Sequence, residues 1–371
     1  MKIETLAVHA GRTVDPNTKA VTPPIYLTTT FEREADGEYP RGYNYSRNNN
    51  PNREFLEKCL TELEGGSEGI AFSSGSAAAM SIIQNLSPGD HIIATDDIYH
   101  GTRKLLKSFV KWNIACSFVD MTNIKEVKSA INNKTKLFWV ESPTNPLLKI
   151  IDIKKISEIA NRNNVIVVCD NTWGTPILQS PFKLGADLIV HATTKYIGGH
   201  SDILGGIVIS KNANKFSQKI RDTQKTGGAV PSPFECWLVL RGIQTLPLRV
   251  RTQSESALKI AQVLSTHKKV ETVYYPGLKG HQGHLIAKKQ MRMFGGMISL
   301  QVKGGEKEAM KVAAGVKLFT RATSLGGPES LIEHRASIEG PESKTPKNLL
   351  RLSIGLEHHE DLIDDLAQAL G

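Results

Sequence analysis

From residue 70 to residue 190 of the 371-residue chain, short apolar runs alternate with helical periodicity. Ile70–Phe72, HIIAT (91–95), ACSFVD (115–120), KLFWVES (136–142), VIVVC (165–169) and Leu188-Ile189-Val190 read as buried strands. The segments around Leu105, Leu106 and Phe109, from Ile124 to Ile131 and from Ile153 to Ala160 read as helices. Strands apolar on both faces must be covered on both, so the pattern predicts an α/β fold with a parallel or mostly parallel sheet. Ligands of such sheets bind beyond the carboxyl ends of the strands. Tyr99, Asn145, Asp170 and Lys195 each follow such an end, which places them around one crevice.

Within DLIVHATTKYIGGHS (187–201), the apolar run opens into Ala192, Thr193 and Thr194, and Lys195 then precedes a Tyr-Ile-Gly-Gly turn. A lysine so placed faces a cleft. Burial lowers the pKa of its amine and makes it a nucleophile toward carbonyls, the Schiff-base use of lysine. Upstream, GIAFSSGSAAAMSIIQNL reads as a strand, a Ser73-Ser74-Gly75 turn and a helix from Ser76 onward. Such a turn offers free backbone N–H groups and a positive dipole end to an anion. No G-K-[ST] follows it and no G-x-G-x-x-G occurs, which argues against nucleotide and dinucleotide binding. Lysine, anion turn and strand-end Asp170 are instead the parts of a pyridoxal phosphate (PLP) site.

Net charge is +9 and the pI near 9.2. Basic and acidic residues interleave, as from Arg351 to Asp365, and no nucleic-acid-binding module is present. The excess charge suits anionic small molecules better than nucleic acid. No apolar run approaches the roughly 18 residues that span a bilayer. The opening MKIETLAVHAGRT lacks a secretory apolar stretch, which predicts a cytoplasmic enzyme without a membrane partner. Cys59, Cys116, Cys169 and Cys236 are scattered and predict reduced thiols. His281 and His284, or His358 and His359, lack companions at metal spacing and read as surface histidines, so no metal is expected.

Three parts follow: a turn-rich lead (1–50) with an aromatic, arginine-rich RGYNYSRNNNPN, read as clasping another surface; a PLP-binding large domain (51–240); and a C-terminal domain (241–371). In the last, a helix (249–264), the strand MISLQVKGG and a strand, turn and helix in RLSIGLEHHEDLIDDLAQAL predict a smaller α+β unit.

YSRNNNP, SSG, DDIY, SPTNP, CDNT, TTKY, GGHSD, AVPSP, SLGG and RLSIGLE occur in this order over nearly the whole length. Together they resemble the Cys/Met-metabolism PLP enzymes, the cystathionine γ-synthase, γ-lyase and β-lyase family of fold type I. The resemblance implies a mostly parallel seven-stranded sheet and a homotetramer built from dimers with shared active sites. It also implies roles for residues. Lys195 would bind the cofactor covalently, and Asp170 would pair with its ring nitrogen. Tyr99 would stack on the ring and Asn145 would sit near its phenolic oxygen. Gly75, Ser76 and Thr194 would hold the phosphate, with Tyr45 and Arg47 reaching the phosphate of the neighbouring subunit. Arg351 would grip the substrate α-carboxylate, with the Ser324 region lining the same pocket and Asn145 adjoining it.

Three positions depart from the family pattern. Ala192 stands where a serine is usual; Tyr99-His100-Gly101-Thr102-Arg103-Lys104 replaces Tyr-Gly-Gly-Thr-x-Arg; and Thr323, not glutamate, precedes Ser-Leu-Gly-Gly. The expected activity is γ-replacement of an O-acylated homoserine by cysteine, the γ-synthase reaction, with Lys195 and Tyr99 as the catalytic groups. Carbon–sulfur elimination by a γ- or β-lyase is the runner-up, and a PLP-binding regulatory protein is the non-enzymatic alternative.

Overall fold

The computed structural model describes residues 1–340 and 343–371. Seven strands form the first sheet: β1 (Glu68–Phe72), β2 (His91–Thr95), β3 (Ala115–Val119), β4 (Thr135–Glu141), β5 (Ile166–Asp170), β6 (Leu188–His191) and β7 (Gly206–Ser210), in the order β1-β7-β6-β5-β4-β2-β3. β3, β2, β4, β5 and β6 pair in parallel, while β7 is antiparallel to β6 and β1. The expected sheet is present, but β7 (GIVIS) is not among the runs read as strands. It opens at Gly206, the second of a glycine pair, and no amphipathic segment separates it from β6 to mark a crossover.

Alternate side chains of the central strands enter two cores. Phe138, Val140, Cys169 and Ile189 pack on one face, and Leu137, Trp139, Val168 and Val190 on the other. This is the two-sided cover that the apolar runs demand. A second sheet has five strands, β8 (Val270–Tyr274), β9 (Met297–Val302), β10 (Thr320–Arg321), β11 (Leu331–His334) and β12 (Leu349–Ser353), in the order β10-β11-β12-β9-β8. All its pairs are antiparallel except β10 with β11. The long helix Leu246–Thr266 stitches the two sheets together. Leu246 and Val250 belong to the first core, and Ala257, Ile260, Ala261 and Leu264 to the second. The boundary expected at 240/241 falls inside the helix Pro233–Ile243.

The lead segment is less irregular than expected, because α1 (Ile3–His9) opens it. Ile3, Leu6, Ala7 and Ala10 fall at i, i+3, i+4 and i+7 and pack on the first core. Two turns of such periodicity are easily lost beside forty residues of turn signals. α2 (Pro51–Glu64) starts from Asn50, whose side chain accepts from Asn52 N, and stops at Gly65 in the left-handed conformation (φ 74°). At its start, Arg53 donates to the carbonyls of Ser46 (2.9 Å) and Arg47 (3.3 Å). At its end, the buried Glu64 meets His191 Nε2 at 2.6 Å and accepts from Asn171 Nδ2 at 2.8 Å. The four cysteines are free thiols; Cys59, Cys169 and Cys236 are buried and Cys116 is half-buried. No helix among the described residues is long and apolar enough to cross a membrane.

Candidate active site

Beyond the carboxyl ends of β2, β4, β5 and β6 lies a cavity of about 190 Å³. Lys195, Tyr99, Asp170, Gly75, Ser76, Asn145, Thr194, Arg351 and Ser324 all line it. Tyr45 and Arg47 do not: both lie on the exposed lead segment, where the Arg47 guanidinium stands over the Tyr45 ring and donates to the Lys225 carbonyl at 2.8 Å. Within one chain these two are therefore separate from the cavity.

Lys195 lies in the turn after β6, and its Nζ donates to Ser324 Oγ at 2.8 Å. Ser324 holds a φ of 88°, a conformation that costs a non-glycine residue and is kept only where the surroundings impose it. Burial, reinforced by the Arg351 cation, lowers the amine from its ordinary 10.5 to about 8. About one amine in ten is then uncharged at pH 7, far more than for an ordinary lysine, and can accept a proton or attack a carbonyl.

Asp170 ends β5. Its Oδ1 accepts from Thr172 N at 3.0 Å, and Thr172 Oγ1 in turn accepts from Ala192 N at 2.9 Å, which joins the ends of β5 and β6. Burial raises the Asp170 carboxyl, against the hydrogen bonds from Thr172. Glu141, its partner across β4 and β5, is buried beside it and is raised well above the carboxylate range by burial and by the charge of Asp170. Glu141 Oε2 accepts from Tyr99 N at 3.1 Å and so fixes the start of α4 (His100–Ser108).

α3 (Gly75–Ile83) starts at the cavity wall, capped by Ser74 accepting from Ala77 N. A Cβ on Gly75 would stand 2.8 Å from the Ala192 Cβ, so only glycine lets the helix end approach the turn that carries Lys195. Thr194 Oγ1 accepts from Gly205 N at 3.0 Å and remains on the cavity wall. Across the cavity, Arg351 on β12 donates to Asn145 Oδ1 (3.0 Å), Glu333 Oε2 (2.7 Å) and the Ser324 carbonyl (3.2 Å).

Sequence reasoning missed Glu141, Glu333 and Arg335. Glu141 had a signal: a carboxylate closing an otherwise apolar strand just before Ser-Pro. Glu333 and Arg335 had none, because only the pairing of β11 with β12 brings Glu333 beside Arg351. The histidines are also not all at the surface. His281 and His284 are half-buried turn-formers, Gly283 N donating to His281 Nδ1 at 3.0 Å and His284 Nδ1 meeting the Pro276 carbonyl at 2.8 Å. No group of three potential ligands could hold a metal among the described residues.

A weakly basic, largely buried amine, a carboxyl on the cavity floor and a glycine-lined helix start for a phosphate are the donor set that PLP requires, and they fit it; the arginine suits the carboxylate of an amino-acid substrate. Fold and site together define a PLP-dependent enzyme of fold type I. The family model for the Cys/Met metabolism PLP-dependent enzymes matches residues 4–371, and the chain belongs to that family. It is 45% identical to a cystathionine β-lyase of Coxiella burnetii, over 99% of this chain and 97% of that one. It is 46% identical to a cystathionine γ-synthase of Mycobacterium leprae, over 99% and 96%. A solved cystathionine γ-synthase of Xanthomonas oryzae pv. oryzae, in complex with aminoacrylate and cysteine, superposes with a TM-score of 0.96 at 39% identity, covering 100% of this chain and 98% of that one. The protein is thus a PLP-dependent enzyme of the transsulfuration family, acting on amino acids.

Proposed function

We propose that the enzyme is a cystathionine γ-synthase, replacing the γ-substituent of an O-acylated homoserine with the thiol of cysteine. The supporting observation is room for a second amino acid. The inner cavity of about 190 Å³ adjoins, at Asn145, an outer channel of about 550 Å³. A replacement reaction must admit cysteine after the acyl group has left, whereas elimination needs no second partner. The solved γ-synthase relative holds cysteine in its complex.

PLP, when bound, supplies an electron sink for the carbanion formed at the substrate's Cα. Lys195 would carry it, and Asp170 would stabilise a proton at its ring nitrogen. The N–H groups of Gly75 and Ser76 and the Thr194 hydroxyl would hold its phosphate, and Asn145 would sit near its phenolic oxygen. Arg351 grips the substrate α-carboxylate in a fork that only a planar guanidinium provides, with Asn145 and Ser324 bracing it. Lys195, uncharged in part because it is buried, removes the Cα proton and returns protons on the same face. Tyr99, an exposed side chain on the wall of the inner cavity, would stack on the ring and assist at the amine and near the departing group. In this reading the chain divides into a clasp (1–50), a PLP-binding part (51–240) and a C-terminal part (241–371). The enzyme is a cytoplasmic homotetramer of dimers in which Tyr45 and Arg47 complete the neighbour's phosphate site. The decisive assay offers O-acylhomoserine with cysteine and, separately, L-cystathionine. Cystathionine formation is expected. Release of 2-oxo acid from cystathionine, without synthesis, would establish a lyase instead.

A further inference from the structure

The wall opposite Lys195 carries a second guanidinium that the proposed reaction does not use. Arg335 is buried (3% exposed) and lines the inner cavity together with Arg351. Glu333 Oε2 accepts from both, at 2.7 Å from Arg335 Nη1 and 2.7 Å from Arg351 Nη2. On its outer side, Arg335 donates through Nε (3.2 Å) and Nη2 (2.9 Å) to Glu339 Oε1. These bonds leave the second hydrogen of each terminal nitrogen for a ligand. Glu339 is itself held by Ser343 and Thr345, each at 2.6 Å, and forms part of the wall of the outer channel. Arg335 therefore stands where cavity meets channel. His100 and Lys104, from α4, line the channel opposite. His100 is held below its ordinary value by burial and by the surrounding cations, Lys104 first, with Arg335 and Arg103 adding and Glu339 opposing.

We infer that Arg335, supported by Lys104, binds an anionic end group on the substrate's γ-substituent. This rests on the proposed reading of the cavity as an amino-acid site with Arg351 at the α-carboxylate. The ligand class is an α-amino acid with a second carboxylate at the far end. That chemistry has two sources: an acyl group that is the half-ester of a dicarboxylic acid, or the distal amino-acid end of cystathionine. A γ-substituent ending in a methyl group would leave the spare N–H groups of Arg335 facing apolar surface, at a loss of affinity.

The test measures binding to the holoenzyme by calorimetry, without chemistry, using α-aminosuberate and the equally long α-aminocaprylate, which ends in methyl. The wild type should prefer the dicarboxylate by about tenfold or more, the range of a charge-assisted hydrogen bond. Arg335→Gln should reduce that preference to about twofold while binding α-aminocaprylate nearly as before. Arg335→Lys, which keeps the cation but loses the fork, should give an intermediate preference and serves if the neutral variant does not fold. Lys104→Gln, on an exposed position, should lower the preference about two- to threefold. No preference in the wild type overturns the inference. So does a preference unchanged by these variants, or equal weakening of both ligands, which would mark Arg335 as a mere brace for Arg351. Turnover of O-succinylhomoserine, O-acetylhomoserine and L-cystathionine then identifies the source of the anion. Cleavage of cystathionine with no use of either acyl donor would end the synthase reading, while the binding preference would still decide the role of Arg335.

Discussion

Lys195 is costly to the fold it serves, and the cost can be measured in cofactor-free protein. Its amine titrates at about 8 in the folded chain against an ordinary 10.5. At about 1.36 kcal/mol per pH unit, that gap corresponds to roughly 3.4 kcal/mol of destabilisation where the folded-state amine is charged. The sign follows from proton counting. Between pH 8 and 10.5 the unfolded chain binds the proton more tightly than the folded one, so stability rises with pH across this window, and below it the full penalty applies. Lys195→Met keeps the apolar stem and removes the charge. It also loses the hydrogen bond to Ser324, worth about 1 kcal/mol, and partial solvent access lowers the charge penalty further. A net gain of about 1–2 kcal/mol is expected, or roughly 1–3 °C in Tm for a chain of this size. Differential scanning of PLP-stripped wild type and variant at pH 7 should place the variant higher, with the gap closing toward pH 9.5. Adding PLP should reverse the order, since the wild type alone gains the covalent bond. A variant less stable than the wild type at pH 7, or a gap that ignores pH, would refute the reasoning.

Borohydride reduction of the yellow holoenzyme should label Lys195, and a label on any other lysine would displace it from its role. Mixing Arg47→Ala with Lys195→Ala chains should restore about one quarter of wild-type sites if each active site draws on two chains, because random pairing gives half heterodimers with one good site each; no recovery after verified exchange would refute the shared site. Ala192 lines the cavity beside Gly75, so Ala192→Ser should tighten PLP a few-fold, about 1 kcal/mol or less, by equilibrium dialysis. Its turnover at saturating cofactor should hardly change, since phosphate contacts act as uniform binding; unchanged or weaker affinity would mean that residue 192 does not face the phosphate. Asp170→Asn should retain PLP but lose turnover by on the order of 10–100-fold, the value of a charged hydrogen bond at the ring nitrogen, read from kcat at excess cofactor.

The sheet and its crevice were legible because parallel strands buried on both faces leave unmixed apolar runs, and because every run but ACSFVD led into polar residues that line the crevice. Lys195, Asp170 and Asn145 could be placed from chain position alone. What stayed hidden depended on pairing at a distance. β7 lies antiparallel after a glycine pair, α1 hides its four apolar contacts in a turn-rich lead, and Arg335 reaches the cavity only through the register of β11 on β12. Strand periodicity tells which face a side chain takes, but not which distant strand lies beside it. The departures at Ala192, His100–Lys104 and Thr323 were visible as letters. Their geometry was not: Lys104 and Thr323 turn out to be exposed, and Arg103 lies over the Phe118 ring at 4.2 Å.

α2 has a bearing on the order in which the enzyme is put together. It runs about 17 Å from Arg53, which grips the backbone of Ser46 and Arg47, to Glu64, which ties Asn171 next to Asp170 and His191 at the end of β6. One rigid rod thus links the segment proposed to meet a neighbouring subunit with the floor beneath the chain's own lysine. A free protomer holds Ser46 and Arg47 only through its own chain, Arg47 by the Lys225 carbonyl and Ser46 by Thr28 and Thr29, and any slack left there would reach Asp170 along the rod. Docking of a neighbour would take up that slack before any cofactor arrives. Subunits would then associate first and load PLP second, and dissociating them by dilution should release cofactor from sites whose own residues are all intact.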